Sequence, residues 1–396
     1  MSAKIQTEVV VTKKDSSLKA LFGKMDVRAY TMIGAVVLIW LFFGVLNETF
    51  FTARNLSNLF TQMSVTAILA IGMVLVIVAG HIDLSVGSIV GLTGGIAAIL
   101  SNWMGLPTGV VLIGTLVAGA LLGLLQGWLV AYRAIPAFIV TLGGMMVFRG
   151  ILLGVTNSTT ISVSDPIFVA LGNAYFSRGF GIILATIVLV FLALSIFKKR
   201  NSRRKYGFEV APLGLDVTKL VILGGATYAF VLTMNSYKGM PFPIIFVLIL
   251  ALIFSYIANK TTFGRHVYAI GGNADAAKLS GINIKNKTMM LFMFTGLLSA
   301  IAAIVLTARL TSATISAGEM YELDAIAACV IGGTSLMGGV GTIFGAIIGA
   351  LVMTSLDNGM SLMGMESFWQ YIVKGSILIL AVWIDISSKN KKGKKA

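Results

Sequence analysis

The chain has 396 residues, of which 57% are hydrophobic and only 11% charged. A soluble domain carries about a quarter charged residues, so a soluble globular protein is excluded and an all-α polytopic membrane protein is expected. The net charge of +15 lies mostly in the tails and two loops, which fits orientation in a membrane and argues against a nucleic-acid partner.

Residues 1–28 are a polar tail with Lys4, Lys13, Lys14, Lys19, Lys24 and Arg28. The basic stretch and the apolar run after it are too long for a cleaved signal peptide, so a cytosolic tail is expected. Apolar runs follow near 30–46, 65–80, 84–101, 109–131, 137–155, 180–197, 218–234, 241–258, 289–308, 324–338, 340–356 and 368–385. Each is near the ~20 residues that a helix needs to span a bilayer. The membrane region is therefore 29–385, with about 10–12 crossings. The range reflects adjoining short runs at 80–84 and 338–340, where either pair reads equally as one broken helix. Alternation from an inside N-terminus puts Arg133, the cluster Lys198 to Lys205, the loop 259–287 and the tail 386–396 on one side. The rule that positive loops stay inside then makes both termini cytoplasmic.

Glycines recur four apart at Gly87, Gly91 and Gly95, at Gly119, Gly123 and Gly127, and at Gly341, Gly345 and Gly349. Such ladders let helix backbones approach closely, and packing within one subunit is their simplest use. Two ladders follow polar, glycine-rich interruptions, His81 to Gly87 and Gly332 to Gly339. Paired interruptions in the two halves of a transporter point to an internal repeat.

Charges inside the apolar runs are few: Asp83, Arg149, Asp324, Asp357 and Lys374. Such residues are costly in a membrane and are functional candidates by default, although several sit near expected helix ends where they reach water. Asp83 is the strongest. Asp357 and Asn358 come next and are expected to open the outer loop before the last span. Ser85, Ser88, Thr334, Ser335 and Asn358 suit an uncharged, sugar-like solute better than an ion. Phe368, Trp369 and Tyr371 fit an interfacial belt. The single Cys329 gives no disulfide framework, and two histidines, His81 and His266, make no metal centre. No catalytic triad spacing and no phosphate-binding loop of the G-x-x-x-x-G-K-[ST] kind occurs, so no enzyme, cofactor or resident ATP site is expected. Embedded carboxylates are too sparse for a typical ion-coupled carrier, which favours an energising partner.

The polar loop Asn259 to Lys287 is basic apart from Asp275. Asn273 can cap a short helix, Asp275 suits its first turn, and Gly281 can end it in a left-handed conformation. About two turns of helix are expected to lie across the membrane face as a docking surface, with an ordinary connection as the alternative.

GRHVYAIGGNADAAKLSGIN in this loop resembles the cytosolic coupling loop of sugar ABC-importer permeases, the family of the ribose, galactose and xylose systems. HIDLSVGS, AFIVTLGGMMVFRGI, LDAIAACVIGGTSLMGGVG and SLDNGMSLMG…FWQYIVKGSILILAVWID resemble further family segments, from about Ala53 to Asp385. An added hairpin over 172–236 and the wording of the last third look most like the family's xylose branch. His81 stands where relatives often carry an acid. The resemblance implies an ATP-binding subunit docking on Gly264, Arg265, Tyr268, Ala269, Gly271, Gly272, Asn273, Ala276, Leu279, Ser280 and Gly281. It also implies a periplasmic sugar-binding protein, a second permease copy and residence in the cell inner membrane. A secondary carrier or channel working without an ATPase is the alternative.

Overall fold

A computed structural model of the chain describes residues 27–393, apart from 209 and 211. Nearly all of the basic tail 1–28, and the last three residues of the tail 386–396, lie outside the described residues.

The described chain is a bundle of helices: α1 (Val27–Leu46), α2 (Ala53–Val78), α3 (Val86–Ala98, continued by a π turn at Ile99–Trp103), α4 (Thr108–Tyr132) and α5 (Ala137–Val155). There follow α6 (Pro166–Asn173), α7 (Arg178–Lys205), α8 (Leu213–Asn235), α9 (Phe242–Lys260), α10 (Thr262–Gly272) and α11 (Ala274–Leu279). The last are α12 (Ile284–Leu310), α13 (Tyr321–Ile331), α14 (Ile343–Leu362) and α15 (Ser367–Gly393). Among the described residues, ten of these helices are long and apolar enough to cross a membrane. The exceptions are α1, whose apolar part is Met32–Leu46, and the short helices α6, α10, α11 and α13. The all-α polytopic membrane architecture expected from composition is therefore found.

Burial sorts the helices into centre and rim. Along its apolar stretch α2 is 94% buried, whereas α7 is 11% buried. A helix apolar on all sides must be enclosed by protein or by lipid, and α2 takes the first option. It begins at Ala53, earlier than the apolar run near 65–80, because Asn55, Asn58 and Thr61 lower the hydropathy of its first turns. Thr52 caps it, its side chain accepting from the Asn55 N–H.

The glycine ladders are used for packing inside the chain. A Cβ built on Gly123 would overlap the Phe292 carbonyl, and one on Gly296 would overlap the Gly119 carbonyl. Helices α4 and α12 thus lie backbone to backbone. Likewise Gly91 faces the Ala317 carbonyl and Gly349 the Ala328 carbonyl. In lipid, where apolar surface gives no drive to associate, this close contact holds helices together.

One end of the bundle is tied by two short antiparallel ribbons, β1 (Ile161–Ser162) with β4 (Ser312–Ala313) and β2 (Tyr175–Phe176) with β3 (Met240–Pro241). Asp165 caps α6 there. It accepts from the Phe168 N–H at 2.7 Å and the Thr108 hydroxyl at 2.8 Å, and these bonds hold its carboxyl below the usual carboxylate range. Helices α7 and α8 run antiparallel as a hairpin closed near its turn by an Arg200–Asp216 ion pair of 2.7 Å. The hairpin meets α2 through Phe230, whose ring lies 4.7 Å from that of Phe60.

The helix contact makes a test. Gly123→Leu forces α4 and α12 apart and should cost about 1–3 kcal/mol or more. Gly143→Leu, where nothing lies within 4 Å of the added carbon, should leave the melting of the detergent-solubilised protein unchanged. Equal melting of both variants would refute the packing account.

Candidate functional site

The bundle is interrupted twice, and the interruptions meet. Helix α2 stops at Val78, and Gly80 adopts φ 86°. Asp83, 1% exposed, shapes the turn into α3: its Oδ1 accepts from the Ser85 N–H at 2.8 Å and the Ser85 hydroxyl at 2.6 Å. The same hydroxyl lies 2.9 Å from Gln126 Oε1 on α4. His81 packs its ring 6.0 Å from that of Phe292.

The second interruption follows α13. The apolar run expected to continue to 338 is helical only as far as Ile331. Gly333, Gly338 and Gly339 all take positive φ, a conformation that favours glycine. Within this loop the Thr334 N–H donates to the Cys329 carbonyl and the Ser335 N–H to the Val340 carbonyl. The Gly339 N–H donates to the Val78 carbonyl at 2.8 Å. One backbone bond therefore joins the two breaks.

Helix α10 lies across this junction. Thr261 caps it, accepting from the Gly264 N–H at 3.2 Å. The Tyr268 hydroxyl donates to the Gly341 carbonyl at 2.7 Å, and burial pushes its phenol above the usual range. A Cβ built on Gly271 would overlap the Val78 carbonyl and stand 2.7 Å from the Gly339 nitrogen. Asn273 then caps α11, accepting from the Ala276 N–H at 2.9 Å, and Gly281 takes φ 81° beyond its end. The α11 cap is where the sequence puts it. Helix α10 is not legible in the same way, because two glycines near its end hide it.

The loop residues divide by helical spacing. Tyr268 and Gly271 turn toward the junction, Val267 is buried, and Gly264 faces the Ile257 and Ala258 carbonyls at the end of α9. Arg265, Ala269 and Gly272, on the other side, are exposed, as are Asn273, Ala276, Ser280 and Gly281. Leu279 is 90% exposed, which is high for an apolar side chain. The outward face thus sets small residues beside the charges of Arg265, Asp275 and Lys278, with Leu279 as an apolar knob.

The polar candidates from the sequence lie in four separate places. Asp83 and Ser85 shape the first break. Thr334 and Ser335 are buried in the second, where Thr334 meets Gly341. Ser88 lines a cavity of about 450 Å³ with Arg149, Glu319 and Glu322. Asp357 and Asn358 do not open an outer loop; they lie inside α14, which runs on to Leu362. They remain helical because each has a partner. Asn358 and Asn55 exchange amide bonds of 2.9 and 3.0 Å. Lys374 on α15 reaches Asp357 at 2.9 Å and Asp324 on α13 at 3.0 Å. The sequence marks Asp324, Asp357 and Lys374 singly, and the fold brings them together. Gln126, the partner of Ser85, carries no sequence signal.

A family model described as branched-chain amino acid transport system / permease component matches residues 55–382. The xylose transport system permease protein of Haemophilus influenzae is 49% identical over 368 residues, covering 93% of this chain and 98% of its own length. The protein of the same description from Escherichia coli K12 is 46% identical over 381 residues, 95% of each chain. The ribose import permease protein of Haemophilus influenzae is 34% identical over 383 residues, 96% of this chain and 99% of its own. No solved structure matches. Because the matched region runs from the first turn of α2 into α15 and takes in both breaks and the helix across them, the chain belongs to this family of membrane transport permeases.

Proposed function

We propose that the chain is the membrane-spanning subunit of an ATP-driven importer that carries a monosaccharide, D-xylose, from periplasm to cytoplasm across the cell inner membrane. The sugar follows from the two relatives described as xylose permeases. The observation that carries the mechanism is the seat of α10 on both helix breaks. A helix in that position can pass a displacement to two interrupted helices at once, which an ordinary connecting loop does not do.

The two faces of α10 and α11 then have different tasks. A separate ATP-binding subunit docks on the outward shelf of Arg265, Ala269, Gly272, Asn273, Ala276, Leu279, Ser280 and Gly281. Gly264 seats α10 on the end of α9, and Tyr268 and Gly271 hand its movement to the junction. Asp83, Ser85, Thr334 and Ser335 set the shape of the breaks as access alternates. Ser88, facing the cavity with Arg149, belongs to the sugar path, whereas Asp357 and Asn358 hold helices together. In this reading a periplasmic binding protein delivers the sugar, and two copies of the chain form the path. Both termini, α10, α11 and the α7–α8 turn face the cytoplasm. The hairpin over 172–236 is an addition to the family core, and the paired breaks belong to an internal repeat.

Uptake of labelled D-xylose in cells without their own xylose carriers tests the reading. It should require this chain together with an ATPase and a binding protein; uptake with the chain alone would make it a secondary carrier or channel. At Gly272 nothing lies within 4 Å of an added carbon. Gly272→Trp should therefore leave the permease folded but weaken co-purification of the ATPase at least about tenfold, ~1.4 kcal/mol. Undiminished association would remove the docking role. Ser202→Cys, at the end of α7, should resist an impermeant thiol reagent in intact cells and react in inverted vesicles. The opposite pattern would overturn the orientation.

A further inference from the structure

The end of the bundle far from α10 holds a second polar cavity, of about 490 Å³. It opens where α2 begins, some 39 Å of helix from Val78 at about 1.5 Å per residue. Its walls include Asn58 and Thr61 of α2, Asn173 at the end of α6, Arg309 at the end of α12, and Tyr175 and Tyr237 at the two ends of the α7–α8 hairpin. The volume falls within the roughly 300–1,000 Å³ of small-molecule sites.

The walls are held in place before any ligand arrives. Arg309 Nη2 donates to Asn58 Oδ1 at 3.1 Å. Asn173 Nδ2 donates to the Ala308 carbonyl at 2.7 Å, fixing α6 on α12. Tyr175 is set by the β2–β3 ribbon, and its ring stands edge-on to Tyr237 at 6.0 Å and 83°. Lys238 Nζ lies 5.5 Å from both ring centres. Among the described residues, no acid pairs with Arg309. A guanidinium has five N–H donors, and the bond to Asn58 engages only one of its nitrogens.

The lining chemistry selects a ligand class. Two guanidiniums, Arg54 and Arg309, stand among amides and hydroxyls that offer donors and acceptors side by side, with no carboxylate among the lining residues. An anion accepts only, and would leave unmatched the acceptors that the walls do not engage, Asn173 Oδ1 and Thr61 Oγ1. Each hydroxyl of a sugar both donates and accepts, and its apolar C–H face can lie on a tyrosine ring. We propose that this cavity is a loading site for a neutral monosaccharide, contained within one copy of the chain. The proposal rests on the sugar-importer reading above and adds a place where the solute is held at the outer mouth. It also gives the α7–α8 hairpin a role, since both tyrosines flank it.

The test is equilibrium binding of radiolabelled D-xylose to the full-length permease in lipid nanodiscs, without ATPase or binding protein. Wild type should bind saturably, and Asn58→Leu and Tyr237→Ala should each weaken binding at least about tenfold, as expected for loss of one good contact. Tyr237→Ala removes a ring at the cavity edge, so it stays informative should Asn58→Leu fail to fold. Unchanged binding by a folded Tyr237→Ala protein would overturn the proposal. So would stronger competition by D-xylonate than by unlabelled D-xylose, which would mark an anion site. Absence of wild-type binding alongside normal uptake by the complete importer would refute the loading site alone. Absence of uptake of any pentose or hexose by the complete importer would instead refute the importer reading.

Discussion

In the hydrocarbon of a bilayer no water completes a peptide group, so every backbone N–H and C=O needs a partner from the protein. That constraint presses hardest on the chain where its helices are broken. The bond from Gly339 to the Val78 carbonyl serves both breaks at once. Local turn bonds, such as His81 to Val76 and Thr334 to Cys329, satisfy neighbouring groups. Each interruption completes the other, which explains why α2 must be central and why the loop after α13 must reach it.

Close approach is the second half of the same solution. The loop bearing Gly338 and Gly339 passes α10 at a distance that only missing side chains allow. The same means brings α4 against α12 and α3 against the segment before α13. Between α4 and α12 it joins two long helices, and at the breaks it places α10 directly on both interruptions. The chemistry of that helix follows from its position: Tyr268 and Gly271 inward, Arg265, Ala269 and Gly272 outward.

Much of this is written locally in the sequence. Hydropathy marks the spans, because length and apolar content are what lipid demands. Asn273, Asp275 and Gly281 announce α11, because capping acts within a few residues. Other features depend on partners far along the chain. Asp357 and Asn358 look like a helix end in a local window, since a charge and an amide interrupt an apolar run. Their partners, Lys374 on the next helix and Asn55 some 303 positions away, keep them helical. The polar residues that start α2 likewise obscure its beginning, and the role of Gln126 appears only when α4 is packed beside the first break. The sequence identifies the residue types that carry the site, but their grouping into four places is a property of tertiary structure.

The ion cluster of Lys374 with Asp324 and Asp357 has a mechanical consequence. Its three members stand on α13, α14 and α15. Pulling one away would strand a charge in a low-dielectric interior, at a cost of several kcal/mol. The three helices are therefore riveted into one rigid body. Elsewhere the joining is of another kind: α4 and α12 meet backbone to backbone at Gly119, Gly123 and Gly296. The C-terminal block is thus stiffened by charge, where α4 and α12 are held by close backbone contact.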